Sequence, residues 1–274
     1  MEDILISQIN EASNFIQNKI GTKPQIGMIL GSGLGDMVDL LEDKIVIPFS
    51  DIPNVPKSTA PGHAGNLVSG KLNGKQLLVM QGRFHIYEGY SPQASTLLIR
   101  CMKQLGINTL IINCACGGLN PQFEAGEIAM ITDHINFSGT NPLVGQNLDQ
   151  FGPRFPGMFD IYTPKLQEIA TIAALETRIR LIPGVYAAIL GPSYATRAEL
   201  SMYIVNHCDL IGMSLVQEAI VAAHSQMQIL ALAAITDMAL PYSREHASHE
   251  QIVASGQKIG KNLKVLISKI IELI

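Results

Sequence analysis

Short apolar runs that end on glycine-rich turns, alternating with helical periods, set the fold class of this chain. The clearest run is Ile26-Gly27-Met28-Ile29-Leu30, which leads straight into Gly31-Ser32-Gly33-Leu34-Gly35. Five apolar residues are too few for a buried helix, and the glycines stop any continuation, so the segment reads as a buried strand with a tight turn. Similar runs at 44–48, 67–71, 76–80, 109–112, 128–131, 184–190 and 229–235 predict further strands. Apolar positions at helical spacing predict helices over 3–19, 92–105, 164–176 and 197–207, from 215, and over 247–273. This alternation predicts an α/β fold: one domain over residues 1–274, with a central mixed, partly barrel-like β-sheet flanked by helices. No repeat, low-complexity tract or linker divides the chain. The stretch 137–160 is rich in Gly, Pro, Asn and Asp and has no period. A loop of that length is usually functional or part of an interface.

Composition narrows the function classes. Hydrophobic residues make up 47% of the chain and charged residues 15%, with no Trp, so a large core of aliphatic and Met side chains is expected. A net charge of −4 without a long basic run argues against a nucleic-acid partner. The most apolar window, around Gln228 to Ala239, is too short to span a bilayer, so no membrane partner is expected. Met1-Glu2-Asp3 lacks a basic leader region, and Cys101, Cys114, Cys116 and Cys208 do not read as a disulfide framework, which together point to the cytoplasm. Cys114-x-Cys116 lacks a second Cys/His pair at ligand spacing, so no metal is expected.

The chemistry lies in the turns. Gly31-x-Gly33-x-Gly35 has neither the dinucleotide-binding spacing nor the Lys-Ser/Thr of a P-loop, but Ser32 places a hydroxyl among exposed backbone N–H groups. In Gln81-Gly82-Arg83-Phe84-His85-Ile86-Tyr87-Glu88-Gly89-Tyr90, Arg83 and His85 alternate. On an extended segment both would leave on one face, and Tyr87 would continue it to lay a ring against a sugar. Asn113-Cys114-Ala115-Cys116-Gly117-Gly118-Leu119-Asn120 follows a predicted strand, and ligands of open α/β sheets gather at such strand ends. With Gly62-His63-Ala64-Gly65 and Gly212-Met213-Ser214, these segments offer N–H groups, one fixed positive charge, imidazoles and hydroxyls. They suit inorganic phosphate or a phosphate ester.

Eight segments, in order, resemble the trimeric purine nucleoside phosphorylases. They are 31–35, 61–65, 82–90, 117–120, Asp133-His134-Ile135-Asn136, Arg154-Phe155-Pro156, Gly191-Pro192-Ser193-Tyr194 and Ile211-Gly212-Met213-Ser214. The resemblance implies phosphorolysis: inorganic phosphate attacks the anomeric carbon of a purine nucleoside and releases free base and a pentose 1-phosphate. It implies a phosphate cradle of Ser32, Arg83, His85, the Ala115 N–H and Ser214, with His63 in a mobile loop on the phosphate side. Tyr87 and Met213 would flank the ribose, His249 would reach its 5′-hydroxyl, and Phe155 would cover the sugar of a neighbouring subunit. Tyr194 would pack on the base, with Ala195, Ile211, Gly212, Thr236 and Asp237 around it. His85 and Asp237 would be the catalytic pair. Phosphate is then a co-substrate, no metal or organic cofactor is implied, and the assembly is expected to be a homotrimer.

Three departures stand out. Relatives that cleave 6-oxopurines carry Phe-Glu-Thr where this chain has Tyr194-Ala195-Thr196, and Thr-Asn where it has Thr236-Asp237. Ala195 cannot accept from a base N1–H. An ionised Asp237 would repel O6 but accept from a 6-amino group, and in its protonated form it would also donate to N7. Both changes favour 6-aminopurines such as adenosine; the alternative is that Glu199 or a water replaces the missing Glu and 6-oxopurine activity survives. The third departure is Asn113, one residue early, with Cys114 at the family's Asn position. His249 as a polar partner suits adenosine better than 5′-methylthioadenosine, whereas His207, His224 and His246 read as histidines without a role. A hydrolytic nucleosidase would not need the phosphate cradle, and a dinucleotide-dependent oxidoreductase would need another glycine spacing. A catalytically weak nucleoside-binding homologue is the remaining alternative.

Overall fold

The computed structural model describes residues 2–59, 62–243 and 247–274; Pro61 and His246 lie outside them. Among the described residues, nine strands form one sheet: β1 (Ile26–Leu30), β2 (Glu42–Pro48), β3 (Asn66–Leu72), β4 (Lys75–Gln81), β5 (Thr109–Gly118), β6 (Ile128–Asn136), β7 (Leu181–Ala188), β8 (Leu210–Gly212) and β9 (Gln228–Met238). The strand order is β2-β3-β4-β1-β5-β8-β7-β6-β9, and β9 also pairs with β5. That extra pairing closes β5, β8, β7, β6 and β9 into a five-stranded barrel, while β2, β3, β4 and β1 run off it as an open extension. The mixed, partly barrel-like sheet expected from the sequence is the observed one.

Around it the described residues form the helices α1 (Glu2–Ile20), α2 (Pro92–Ser95), α3 (Leu97–Gln104), α4 (Pro164–Thr177), α5 (Arg197–Val205), α6 (Val216–His224) and α7 (His249–Leu273). The long apolar strands follow from burial on both faces. In β9, Ile229, Ala231, Ala233 and Ile235 join the core shared with α1, α3 and α6, and Leu230, Leu232 and Ala234 join the one shared with α4 and α7. The expected helix 92–105 is broken at Thr96, whose hydroxyl donates to the Pro92 carbonyl at 2.7 Å and whose backbone leaves the helical region.

Two details of the barrel create the site. β5 continues past residue 112 to Gly118, because Gly117 and Gly118 pair with the short β8 and small residues permit that close approach. Between Cys116 and Gly117 the β5–β9 register skips Thr236. Such a bulge adds a residue to one strand and re-aims its side chains, which lets the neighbours Thr236 and Asp237 face the same cleft.

The 137–160 stretch has no regular secondary structure, as expected. It is tied down by a buried group: the His224 Nε2–H donates to Asn147 Oδ1 at 3.0 Å, and the Arg100 guanidinium donates to His224 Nδ1 at 3.2 Å. His224 is therefore a structural histidine. Among the described residues no helix is long and apolar enough to cross a membrane.

Candidate active site

An open cleft with a cavity volume of about 150 Å³ lies at the ends of β1, β5 and β9. The glycine turn after β1 forms one wall. A Cβ at Gly31 would come within 2.9 Å of Cys114 Cα and 3.3 Å of the Ala115 nitrogen, so only glycine lets the turn lie on β5. Gly33, with φ of +77°, is in the left-handed region, and a Cβ there would meet the Val253 carbonyl oxygen of α7 at 2.8 Å. Ser32 is thereby carried into the cleft beside Ala115.

Gly82 to His85 leave β4 without forming a strand, and residues 86–88 make one 3₁₀ turn. Arg83, His85 and Tyr87 all line the cleft, as the alternation predicts. Tyr87 does not continue an extended face, however; the turn folds its ring onto His85, with centroids 4.7 Å apart and planes 16° apart. Arg83 is 1% exposed. It donates through Nη2 to the Asn113 carbonyl oxygen, while its Nε and Nη1 make no hydrogen bond among the described residues. Asn113 serves the fold: its side chain donates to the Ile29 carbonyl at 3.1 Å, joining β5 to β1. Cys114 is buried and does not line the cleft, whereas Cys116 does.

Two acids that the sequence reading passed over stand behind Arg83 and His85. Glu88 Oε1 lies 3.1 Å from His85 Nδ1 and accepts from the His85 N–H at 2.7 Å, while its other oxygen takes the Thr59 N–H and hydroxyl. Burial alone would raise the Glu88 carboxyl, but these hydrogen bonds from His85 and Thr59 outweigh it and hold the pKa at about 2. Glu88 therefore fixes the His85 ring. Glu218, in the first turn of α6, lies 3.5 Å from Arg83 Nη1.

His63 sits at the rim, its Nε2 3.5 Å from the Ser32 hydroxyl and its ring 5.4 Å from that of His85. Room for it exists because Gly82 lacks a side chain; a Cβ there would meet His63 Cβ at 2.9 Å. Burial, then the neighbouring charges of His85 and Arg83, push the His63 pKa down to about 3. His224 is lowered to about 4 by burial and then by Arg100. Both histidines regain their ordinary value of 6.5 in an unfolded chain. Between those values the unfolded state binds protons that the folded state refuses, so stability rises with pH through that window. Tm followed from pH 4 to 7.5 should fall on the acid side, and His224→Asn should flatten the slope. An identical slope in the variant would remove His224 from this account.

The other end of the cleft is apolar. Ala195, Leu200 and Ile211 belong to one buried cluster, with Ile189 and Ala239 packed on it. Gly212 must be glycine, since a Cβ there would overlap the Tyr186 hydroxyl. Gly117, Met213, Ser214, Tyr194, Thr236, Asp237, His249 and Ile252 complete the lining. The Thr236 hydroxyl lies 3.1 Å from the Cys116 carbonyl oxygen and 3.0 Å from Asp237 Oδ1. Burial, then the carboxylates of Asp237 and Glu250, raise the Tyr194 phenol. His249 is the first residue of α7, directly after the Ser248 cap, and this position turns it toward the cleft. Glu199 is not in the lining. It closes a capping box on α5, accepting from the Thr196 N–H at 2.7 Å and the Thr196 hydroxyl at 3.0 Å. Phe155 is also outside the cleft of its own chain, 87% exposed on the long loop.

A sequence profile of the phosphorylase superfamily matches residues 25–272. Purine nucleoside phosphorylase 1 of Geobacillus stearothermophilus is 44% identical, over 96% of each chain. The chain belongs to the purine nucleoside phosphorylases of this superfamily. Two crystal structures of a Schistosoma mansoni purine nucleoside phosphorylase superpose on it with a TM-score of 0.93. The one in complex with adenosine is 38% identical and covers 97% of each chain. The one in complex with inosine is 36% identical and covers 98% of this chain and 97% of that one. As a purine nucleoside phosphorylase the protein is an enzyme of nucleoside metabolism, and the cleft is where hydrogen-bond donors and an apolar wall meet.

Proposed function

We propose that this phosphorylase holds inorganic phosphate with Ser32, Arg83, His85, the Ala115 N–H and Ser214, and that it favours nucleosides of 6-aminopurines such as adenosine. The base preference rests on one observation: the carboxylate nearest Ala195 in sequence, Glu199, is committed to the cap of α5. Ala195 and its apolar neighbours Leu200 and Ile211 then offer no side-chain acceptor for a base N1–H, and Asp237 is the acidic group of the lining at the end of β9. The Schistosoma mansoni structures hold adenosine in one and inosine in the other, so the shared scaffold accepts either nucleoside among these relatives. Selection here falls to the side chains.

In this reading, phosphate beneath the sugar stabilises the positive charge that builds on the ribosyl group as the glycosidic bond breaks. Arg83 and His85 orient the phosphate, with Glu88 holding the His85 ring. Tyr87, Met213 and His249 contact the sugar, and Phe155 reaches the site of a neighbouring subunit in a homotrimer. Tyr194, Ile211, Gly212 and Thr236 enclose the base. As the purine leaves it gains negative charge, and a protonated Asp237 supplies the hydrogen bond to N7.

The test is base release from adenosine, inosine, guanosine and 5′-methylthioadenosine, each with and without phosphate. Phosphate-dependent release led by adenosine is expected. Release led by inosine or guanosine would keep the phosphorylase and overturn the base preference, and equal release without phosphate would overturn the cradle.

A further inference from the structure

We infer that Glu218 is a positioning residue for the phosphate site, acting through the Arg83 guanidinium. The inference rests on the reading of Arg83 as a phosphate ligand. Arg83 and Glu218 are both buried, at 1% and 5% exposure, and Glu218 Oε1 lies 3.5 Å from Arg83 Nη1. The Nε and Nη1 groups make no hydrogen bond among the described residues. Glu218 therefore compensates the charge of Arg83 through Nη1 without closing a hydrogen bond, so the guanidinium keeps donor capacity for an anion.

The hydrogen bond that the described residues give the guanidinium is the one to the Asn113 carbonyl, through Nη2. A single bond leaves a planar fork free to pivot about it, and a bidentate donor loses its advantage when its plane is not fixed. Glu218 supplies the second point of attachment from the opposite element. It can do so because α6 begins abruptly: Leu215 adopts φ of +74° at the cap, one residue after Ser214, and Glu218 follows in the first turn. A carboxylate there is also favoured by the positive end of the helix. One short segment thus carries Ser214, which lines the cleft, and the residue that aims Arg83 into it. Within α6, Glu218 is the only acid in a mostly apolar run, which a helix buried in the core has no other reason to keep.

The test uses Glu218→Ala, Glu218→Gln, Arg83→Met and the double variant Arg83→Met/Glu218→Gln, with KM for phosphate and KM for nucleoside measured separately. Glu218→Ala should raise the phosphate KM about tenfold or more and leave the nucleoside KM within about twofold. Glu218→Gln keeps an oxygen at the same reach and should raise it less. If Glu218→Ala does not fold, a rise in phosphate KM in Glu218→Gln carries the test alone. In the Arg83→Met background, Glu218→Gln should add nothing to the phosphate KM, because the group it acts through is gone. The inference is overturned if Glu218→Gln leaves the phosphate KM unchanged or lowers it. It is equally overturned if both KM values rise together, or if the effect persists in the Arg83→Met background. An unchanged phosphate KM in Arg83→Met itself would instead overturn the cradle reading.

Discussion

Arg83→Met should lower kcat/KM for phosphate by about two to four powers of ten, the largest effect expected of any single substitution in this protein. Arg83 presents two donor groups without acceptors among the described residues, and a hydrogen bond to a charged group contributes about 1.5–3 kcal/mol. Two such bonds give about 3–6 kcal/mol, and each 1.4 kcal/mol is a factor of ten. The substitution also has a structural cost. It strands the Glu218 carboxylate, and breaking a buried ion pair by removing one partner costs about 3–5 kcal/mol. Arg83→Met alone should therefore lose both phosphate binding and Tm. Adding Glu218→Gln removes the stranded charge and should restore much of the Tm while leaving phosphate binding lost. If the double variant recovered kcat/KM along with Tm, the defect would be one of folding, and Arg83 would not be a phosphate ligand.

The architecture was legible where burial imposed a period. The strands at 26–30, 76–80 and 229–235 are apolar almost without interruption because helices cover both faces, so their positions stand out in the sequence. β8 has three residues and no period of its own, yet it closes the barrel between β5 and β7. The bulge at Thr236 left no mark either, because it is a mismatch between two strands rather than a property of one. The turns that line the cleft were readable from glycine spacing, since Gly31, Gly33 and Gly82 are each required by a close approach or a left-handed backbone. The supporting acids were missed although signals existed. Glu88 follows His85 at the three-residue spacing of a capping box, and Glu218 is an acid in an apolar helix. Thr196-x-x-Glu199 is itself a capping-box pattern, so the commitment of Glu199 to the α5 cap was also open to a sequence reading. The geometry of Tyr87 was beyond reach: its stacking on His85 depends on a 3₁₀ turn that three residues do not announce.

The double variant Ala195→Glu/Asp237→Asn should shift preference from adenosine toward inosine by roughly 30-fold to ten-thousand-fold in the ratio of kcat/KM values. The estimate comes from two buried hydrogen-bonding changes at about 1–3 kcal/mol each. The carboxylate introduced by Ala195→Glu would face an apolar wall, next to Leu200 and Ile211, in which an N1–H of a 6-oxopurine would be its natural partner. With adenosine bound, the same carboxylate would be left without a donor in that wall and would oppose binding, so the new group discriminates in both directions. Asp237→Asn would replace a carboxyl group whose oxygen accepts from a 6-amino group with an amide that donates to O6. Gly117, whose Cβ would stand 3.7 Å from Asp237 Oδ2, leaves room for the isosteric amide. The single variants should each shift the ratio by less than their share of the double, because both contact the same base and neighbouring sites couple. Ala195→Glu alone should lower Tm, since it buries a charge beside apolar neighbours, and saturating inosine with phosphate should recover part of that loss. An adenosine-to-inosine ratio unchanged in a folded double variant would sink this account and move the choice of base to the backbone around Gly212 or to the sugar contacts.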